Sequence, residues 1–136
     1  MIMITIEEEI QRLGSLKNVA AAILDYVMVG AHHSKSEFRR YGYEWTLEPD
    51  DWINLNFIYT RRRYKHIHVS LGVPPATLSS SPDLEVKKGK WPSWSKITIA
   101  SVLQLPAAMR CIETAYYESK NKFRTKNGKP ERQKTA

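Results

Sequence analysis

Two periods of apolar residues run along this chain, and the switch between them divides it. Ile6, Ile10 and Leu13, then Leu16, Val19, Ile23 and Val27, recur at three and four residues. That spacing lines one side of an α-helix. Thr5-Ile6-Glu7-Glu8 has the T-x-x-E form of a capping box, in which hydroxyl and carboxylate satisfy each other's backbone donors. Glu7, Glu8 and Glu9 then fill a first turn, where carboxylates favour the helix dipole. Gly14 ends the first helix, Ser15 is placed to cap the second, and Gly30 closes it. Ala20-Ala21-Ala22 adds helix propensity and allows close packing.

Residues 31–50 are polar and irregular, and Pro49 bars a helix there. Beyond them the period falls to two. Ile53, Leu55, Phe57 and Tyr59 share one face of a strand over 51–60, with Asn54 and Asn56 on the other. Ile67, Val69 and Leu71 alternate with His66, His68 and Ser70 in a strand over 64–71. Two alternating runs around a short polar turn predict an antiparallel hairpin. After loops at Pro74-Pro75 and Ser79–Pro82, a third strand is expected over Leu84–Lys88 and a fourth over Lys96–Ala100. Pro106 suits a helix first turn, and Met109, Ile112, Ala115 and Tyr116 form its stripe. The expected architecture is α+β: one domain over 1–119, with two N-terminal helices, about four antiparallel strands and a C-terminal helix.

Composition changes this picture in one respect. The 136 residues carry a formal charge of +7, which alone suggests an anionic partner. Residues 120–136, however, hold seven basic side chains against the single acid Glu131, so the tail carries +6 and the body only +1. The tail has too little apolar surface to offset its ordering entropy, and disorder is expected from about residue 125. Length excludes a (β/α)8 barrel and a full dinucleotide-binding dehydrogenase. The single cysteine, Cys111, excludes an internal disulfide and reads as a buried helical thiol. No uninterrupted run approaches 18 apolar residues, so neither a membrane span nor a membrane partner is expected, and a cytoplasmic location is the default.

The second half also resembles a known family. Ile53–Tyr59, Arg61-Arg62-Arg63, Tyr64–Leu71, Gly89-Lys90-Trp91, Lys96–Ile99 and Ile112–Tyr116 follow one another. In that order, residues 52–118 resemble an uncharacterised bacterial and archaeal domain family often labelled "predicted transport protein". The resemblance implies a small α+β fold found alone or beside nuclease-like and restriction-associated domains. It brings no catalytic residues with it, and Pro92-Ser93-Trp94 replaces the family's glycine-rich stretch.

Three groups of side chains carry candidate chemistry. Arg61, Arg62, Arg63 and Lys65, interleaved with Tyr59 and Tyr64, form a basic hairpin tip whose guanidinium groups suit phosphates and whose rings suit unpaired bases. Lys87, Lys88 and Lys90 with Trp91 and Trp94 repeat the mixture on a loop. His66 and His68 share a strand face, as a metal pair or acid–base groups would. A third ligand is not evident, His32 and His33 being of unknown proximity. No Walker loop, G-x-G-x-x-G, H-E-x-x-H or G-x-S-x-G occurs. Glu85-Val86-Lys87 lacks the separated acid of a two-metal nuclease.

The function expected is a small non-enzymatic module without a cofactor. It binds nucleic acid or accompanies a nucleic-acid-processing protein of the restriction or defence type. The alternatives are a protein-interaction module, such as an inhibitor or accessory subunit, and a metal-dependent hydrolase using His66 and His68. Arg61, Arg63, Lys87, Lys90 and Trp91 on one surface would favour binding; His66 and His68 converging with a carboxylate would favour catalysis.

Overall fold

Thr5 caps α1 (Ile6–Ile10) as its spacing predicts. The Glu8 N–H donates to Thr5 Oγ1 at 3.1 Å, and the Thr5 N–H donates to Glu8 Oε1 at 2.8 Å. The computed structural model describes residues 4–30, 35–61 and 64–127. After α1 the chain tightens into a 3-10 stretch, Gln11–Leu16, bent at Gly14 with φ +59°. L side chains are strained there, so glycine holds the bend. Contrary to expectation, Ser15 does not cap α2 (Lys17–Asp25), which starts from Leu16 with no side-chain cap. The 3-10 turn runs straight into the helix and its carbonyls replace the cap. A π-helical turn, Tyr26–Gly30, ends the unit.

Six strands follow in one sheet: β1 (Glu37–Tyr41), β2 (Glu44–Glu48), β3 (Ile53–Arg61), β4 (Tyr64–Leu71), β5 (Lys87–Lys88) and β6 (Ser95–Ile99). Their order is β1-β2-β3-β4-β6-β5, every neighbour antiparallel. A 3-10 turn, Val102–Gln104, capped by Ser101 and Gln104, leads into α3 (Leu105–Asn127), with Pro106 in its first turn. The helix thus continues through the basic segment to Asn127, past residue 125 where disorder is expected to begin, and residues 128–136 lie outside the described residues. The protein is an α+β domain.

Two expectations about the sheet need correction. Residues 37–48 are not irregular but form the β1–β2 hairpin, turning through Gly42-Tyr43. Phe38, Trp45 and Leu47 supply its inward side chains, but glutamates and arginines crowd the pattern and hide the period. The Leu84–Lys88 strand shrinks to Lys87–Lys88. Leu84 spends its backbone groups on Ser81 (N···O 3.0 and 3.1 Å), and the Val86 N–H donates to Ser80 Oγ at 2.8 Å, so neither pairs with β6. Gly89 then brings the chain back so closely that a Cβ there would lie 2.8 Å from the Trp94 carbonyl oxygen. The glycine of the Gly-Lys-Trp element therefore serves close backbone approach.

The helices and one sheet face share a single core. Leu13, Leu16, Val19, Ile23 and Val27 from the N-terminal unit and Ala108, Ile112 and Ala115 from α3 join Ile53, Leu55, Ile67, Val69, Leu71, Ile97 and Ile99. Residues 6–30 are long and apolar enough, by length and composition, to cross a membrane, although polar residues interrupt the stretch. In this fold the bend at Gly14 divides that stretch and its apolar stripe packs on the sheet.

Candidate nucleic-acid interface

Strand alternation decides which side chains meet, because cross-strand partners share a face. With Ile67, Val69, Leu71, Ile97 and Ile99 in the core, His66, His68, Ser70, Lys96 and Thr98 take the opposite face. Ser70 pairs with Lys96, and Lys96 pairs in turn with Lys87 on β5. Asn56, His68 and Thr98 form the next row, and His66 lies opposite Ile58. The outcome is a strip of cationic and hydrogen-bonding groups running along β4 and β6.

Lys87 and Lys96 make no ion pair among the described residues. Like charges placed directly opposite on a sheet disfavour the fold, so this pair is one an anion would relieve. His66 and His68 meet edge to face, ring centroids 4.8 Å apart. Thr98 Oγ1 and His68 Nδ1 share a 2.9 Å hydrogen bond. Partial burial, then the charges of Lys96, His66 and Lys87, push His68 down from 6.5 to about 4. The imidazole is therefore neutral near pH 7. Among the described residues, no group of three or more His, Cys, Asp or Glu could hold a metal ion.

That shift has a consequence for stability. The unfolded chain takes up a proton on His68 as pH falls below about 6.5, whereas the folded chain resists until about 4. His68 thus contributes stability above about pH 6.5 that is lost as the pH falls through that window. The expected loss is on the order of 1 kcal/mol once solvent screening is allowed for. Urea denaturation at pH 7 and pH 4 checks it: wild type should lose more stability between the two than His68→Gln. Equal losses would show that His68 does not titrate differently on folding.

The sequence-predicted residues divide between places. Lys87 lies on the strip with His66 and His68. Lys88 pairs with Ser95, a core-facing residue, and so takes the other face at the sheet's edge. Lys65 also faces the helix side, where a Cβ on Gly14 would meet its Nζ at 3.4 Å. Lys90 leaves the sheet in the β5–β6 loop, its Nζ 5.3 Å from the centroid of Trp91, which is 47% exposed. Trp94 meets Trp91 edge-on at 5.6 Å and packs over Gly72, so it is part lid. At the opposite end, the backbone of Arg61 pairs with Tyr64 beyond an irregularity in the ladder. Arg62 and Arg63 lie outside the described residues, as do His32 and His33.

From Ser70 to Tyr64 the strip extends about 20 Å at the usual rise per strand residue. The Lys/Trp loop stands at one end and the hairpin tip at the other. Lys96 was missed as a site residue, although the Ser-Lys-Ile-Thr-Ile alternation placed it on the polar face. The other half of that face is acidic. Glu44, Glu48 and Asp51 cluster there, and burial with the charges of Glu48 and Glu44 raises the Asp51 carboxyl above its ordinary value. Buried Asn54 separates the two halves. On the helix side, an apolar groove of about 610 Å3 between the N-terminal helices and β1–β2 is lined by Ile6, Ile10, Leu24 and Phe38 and rimmed by Glu7 and Asp25.

No family model, curated protein or solved structure matches the chain. The likeness of residues 52–118 to the "predicted transport protein" family rests on the order of its motifs alone.

Proposed function

We propose that the protein is a non-enzymatic module that binds nucleic acid through its phosphate backbone, along the β4–β6–β5 side of the polar sheet face. The observation that carries this reading is the Lys87–Lys96 pair, two unpaired ammonium groups opposite each other and flanked by His68, Thr98, Ser70 and Asn56. Ammonium and hydroxyl groups in a row hold phosphates by charge and hydrogen bonds without reading bases. The flanking β5–β6 loop adds aromatic surface at one end. A strip about six residues long spans only a few nucleotides, so binding is weak and strongly dependent on salt.

Fluorescence anisotropy with a labelled single-stranded oligonucleotide, titrated at several salt concentrations, tests the proposal. Lys87→Ala combined with Lys96→Ala should weaken binding at low salt. It should also reduce the slope of log K against log salt by about 1.4, two contacts at ~0.7 each. Absence of binding at low salt, or an unchanged slope in the double variant, would refute it. Replacing Arg61, Arg62 and Arg63 by alanine tests the hairpin tip separately.

A further inference from the structure

We propose that a second site, the cavity between the Thr77–Ser81 loop and α3, binds a small-molecule phosphate monoester. It lies on the helix side of the sheet, apart from the basic strip. Its volume is about 370 Å3, within the range of small-ligand sites. Thr77, Ser79, Ser81, Arg110, Cys111 and Thr114 are its polar lining residues. Among the described residues no carboxylate lines it. Every polar side chain there can donate a hydrogen bond, and the one formal charge is positive.

Two further observations select an anion. Arg110 is exposed and makes no ion pair among the described residues. Its neighbour Cys111 cannot serve as counterion, because burial raises the thiol above its ordinary value and keeps it protonated. Ser81 Oγ is buried without a hydrogen-bond partner, while the Ser81 backbone is held by Leu84. A buried hydroxyl left unpaired is costly, and a χ1 rotation that turns it from its enclosed position toward the cavity, where a ligand oxygen accepts its proton, relieves that cost. Ser95 Oγ is also buried and unpaired. It sits in the core of the sheet and lines neither described cavity, so an orphan hydroxyl argues for a site only beside a cavity and a cation.

The chemistry suits a phosphate dianion. A guanidinium forks onto two of its oxygens, and serine and threonine hydroxyls donate to the rest. The Ser80 hydroxyl, committed to the Val86 N–H, holds the loop in place. An apolar face from Leu78 and Ala107 completes the cavity, enough for the short carbon skeleton of a monoester.

Isothermal titration with inorganic phosphate and with glycerol 3-phosphate tests the site. Saturable one-to-one binding is expected, tighter for the ester. Arg110→Gln should weaken it by roughly tenfold or more, the usual effect of losing a charge-assisted hydrogen bond. Ser81→Ala should weaken it several-fold while leaving the unfolding midpoint unchanged or raised, since an unpaired buried hydroxyl is removed. A structural role for that hydroxyl would instead lower the midpoint. Lys87→Ala with Lys96→Ala should leave phosphate affinity intact, whatever becomes of nucleic-acid binding. Failure to saturate at millimolar phosphate, or equal affinity in Arg110→Gln, would overturn the proposal. Loss of phosphate binding in the lysine double variant would overturn it too, by placing the anion on the strip.

Discussion

Trp52→Ala is expected to lower the free energy of unfolding by about 3–5 kcal/mol, the usual range for truncating a large buried aromatic. Trp52 is 2% exposed and heads the fully buried side chains by volume. Its ring stands 5.5 Å from that of Tyr116, tilted 54°, and so ties the start of β3 to α3. Its carbonyl also accepts from the Gly72 N–H at 2.8 Å, where β4 ends. Truncation leaves a cavity where three elements meet, and little around it can collapse. Such a loss is a large part of the roughly 5–15 kcal/mol that holds a domain together. Trp91→Ala is the control: 47% exposed on the β5–β6 loop, it should change stability by less than about 0.5 kcal/mol. Urea midpoints for the two variants decide the matter, and a Trp52→Ala loss below about 1 kcal/mol would contradict the packing described.

Glu9→Ala is expected to cost on the order of 3 kcal/mol. Glu9 is 3% exposed. Its carboxylate accepts from Arg40 Nη1 at 3.1 Å and from Trp45 Nε1, so α1 is clamped to the β1–β2 hairpin. The Arg40 guanidinium also lies 5.8 Å from the Trp45 ring centroid. Removing the carboxylate takes the counterion from a half-buried guanidinium, which keeps its 3.0 Å bond to the Gly42 carbonyl, and the acceptor from an indole N–H, and that penalty exceeds what the pair contributes when intact. Glu9→Gln keeps an acceptor for the indole and should cost less. A double-mutant cycle with Arg40→Ala isolates the pair. Additive effects of the two changes would mean that the residues are not coupled.

These residues show how far the sequence could be read. The capping box at Thr5 and Glu8, the break at Gly14 and the β3–β4 hairpin were legible because each depends on residues a few positions apart. The β1–β2 hairpin was not. Arg40 occupies an inward position that a polarity pattern assigns to solvent, and Glu9, 31 positions earlier in the chain, supplies its counterion there. The Glu7-Glu8-Glu9 run likewise suggested three equivalent first-turn carboxylates. In the fold, Glu8 completes the cap, Glu9 is buried against the hairpin and Glu7 rims the apolar groove.

The candidate sites divide in the same way. Basic residues are visible in any sequence, but their partners depend on strand register. Lys65 and Lys88 looked equivalent to Lys87, yet alternation sends them to the other face. Lys96 drew no notice until the β4–β6–β5 order set it beside Lys87 and His68. The cavity at Arg110 joins a loop to a helix about thirty residues away, which no local pattern could reveal.

By itself, then, the sequence determined the helical and alternating periods, the principal breaks, the α+β class and the concentration of excess charge in the C-terminal segment. Those properties follow from side-chain spacing and backbone preference within a few residues. The tertiary structure decided which charges meet, which are buried, and where hydroxyls and cations line a common surface. Such outcomes depend on long-range register and packing, which give Glu9 its partners, leave Lys87 and Lys96 without one, and leave the Ser81 hydroxyl unpaired beside a cavity.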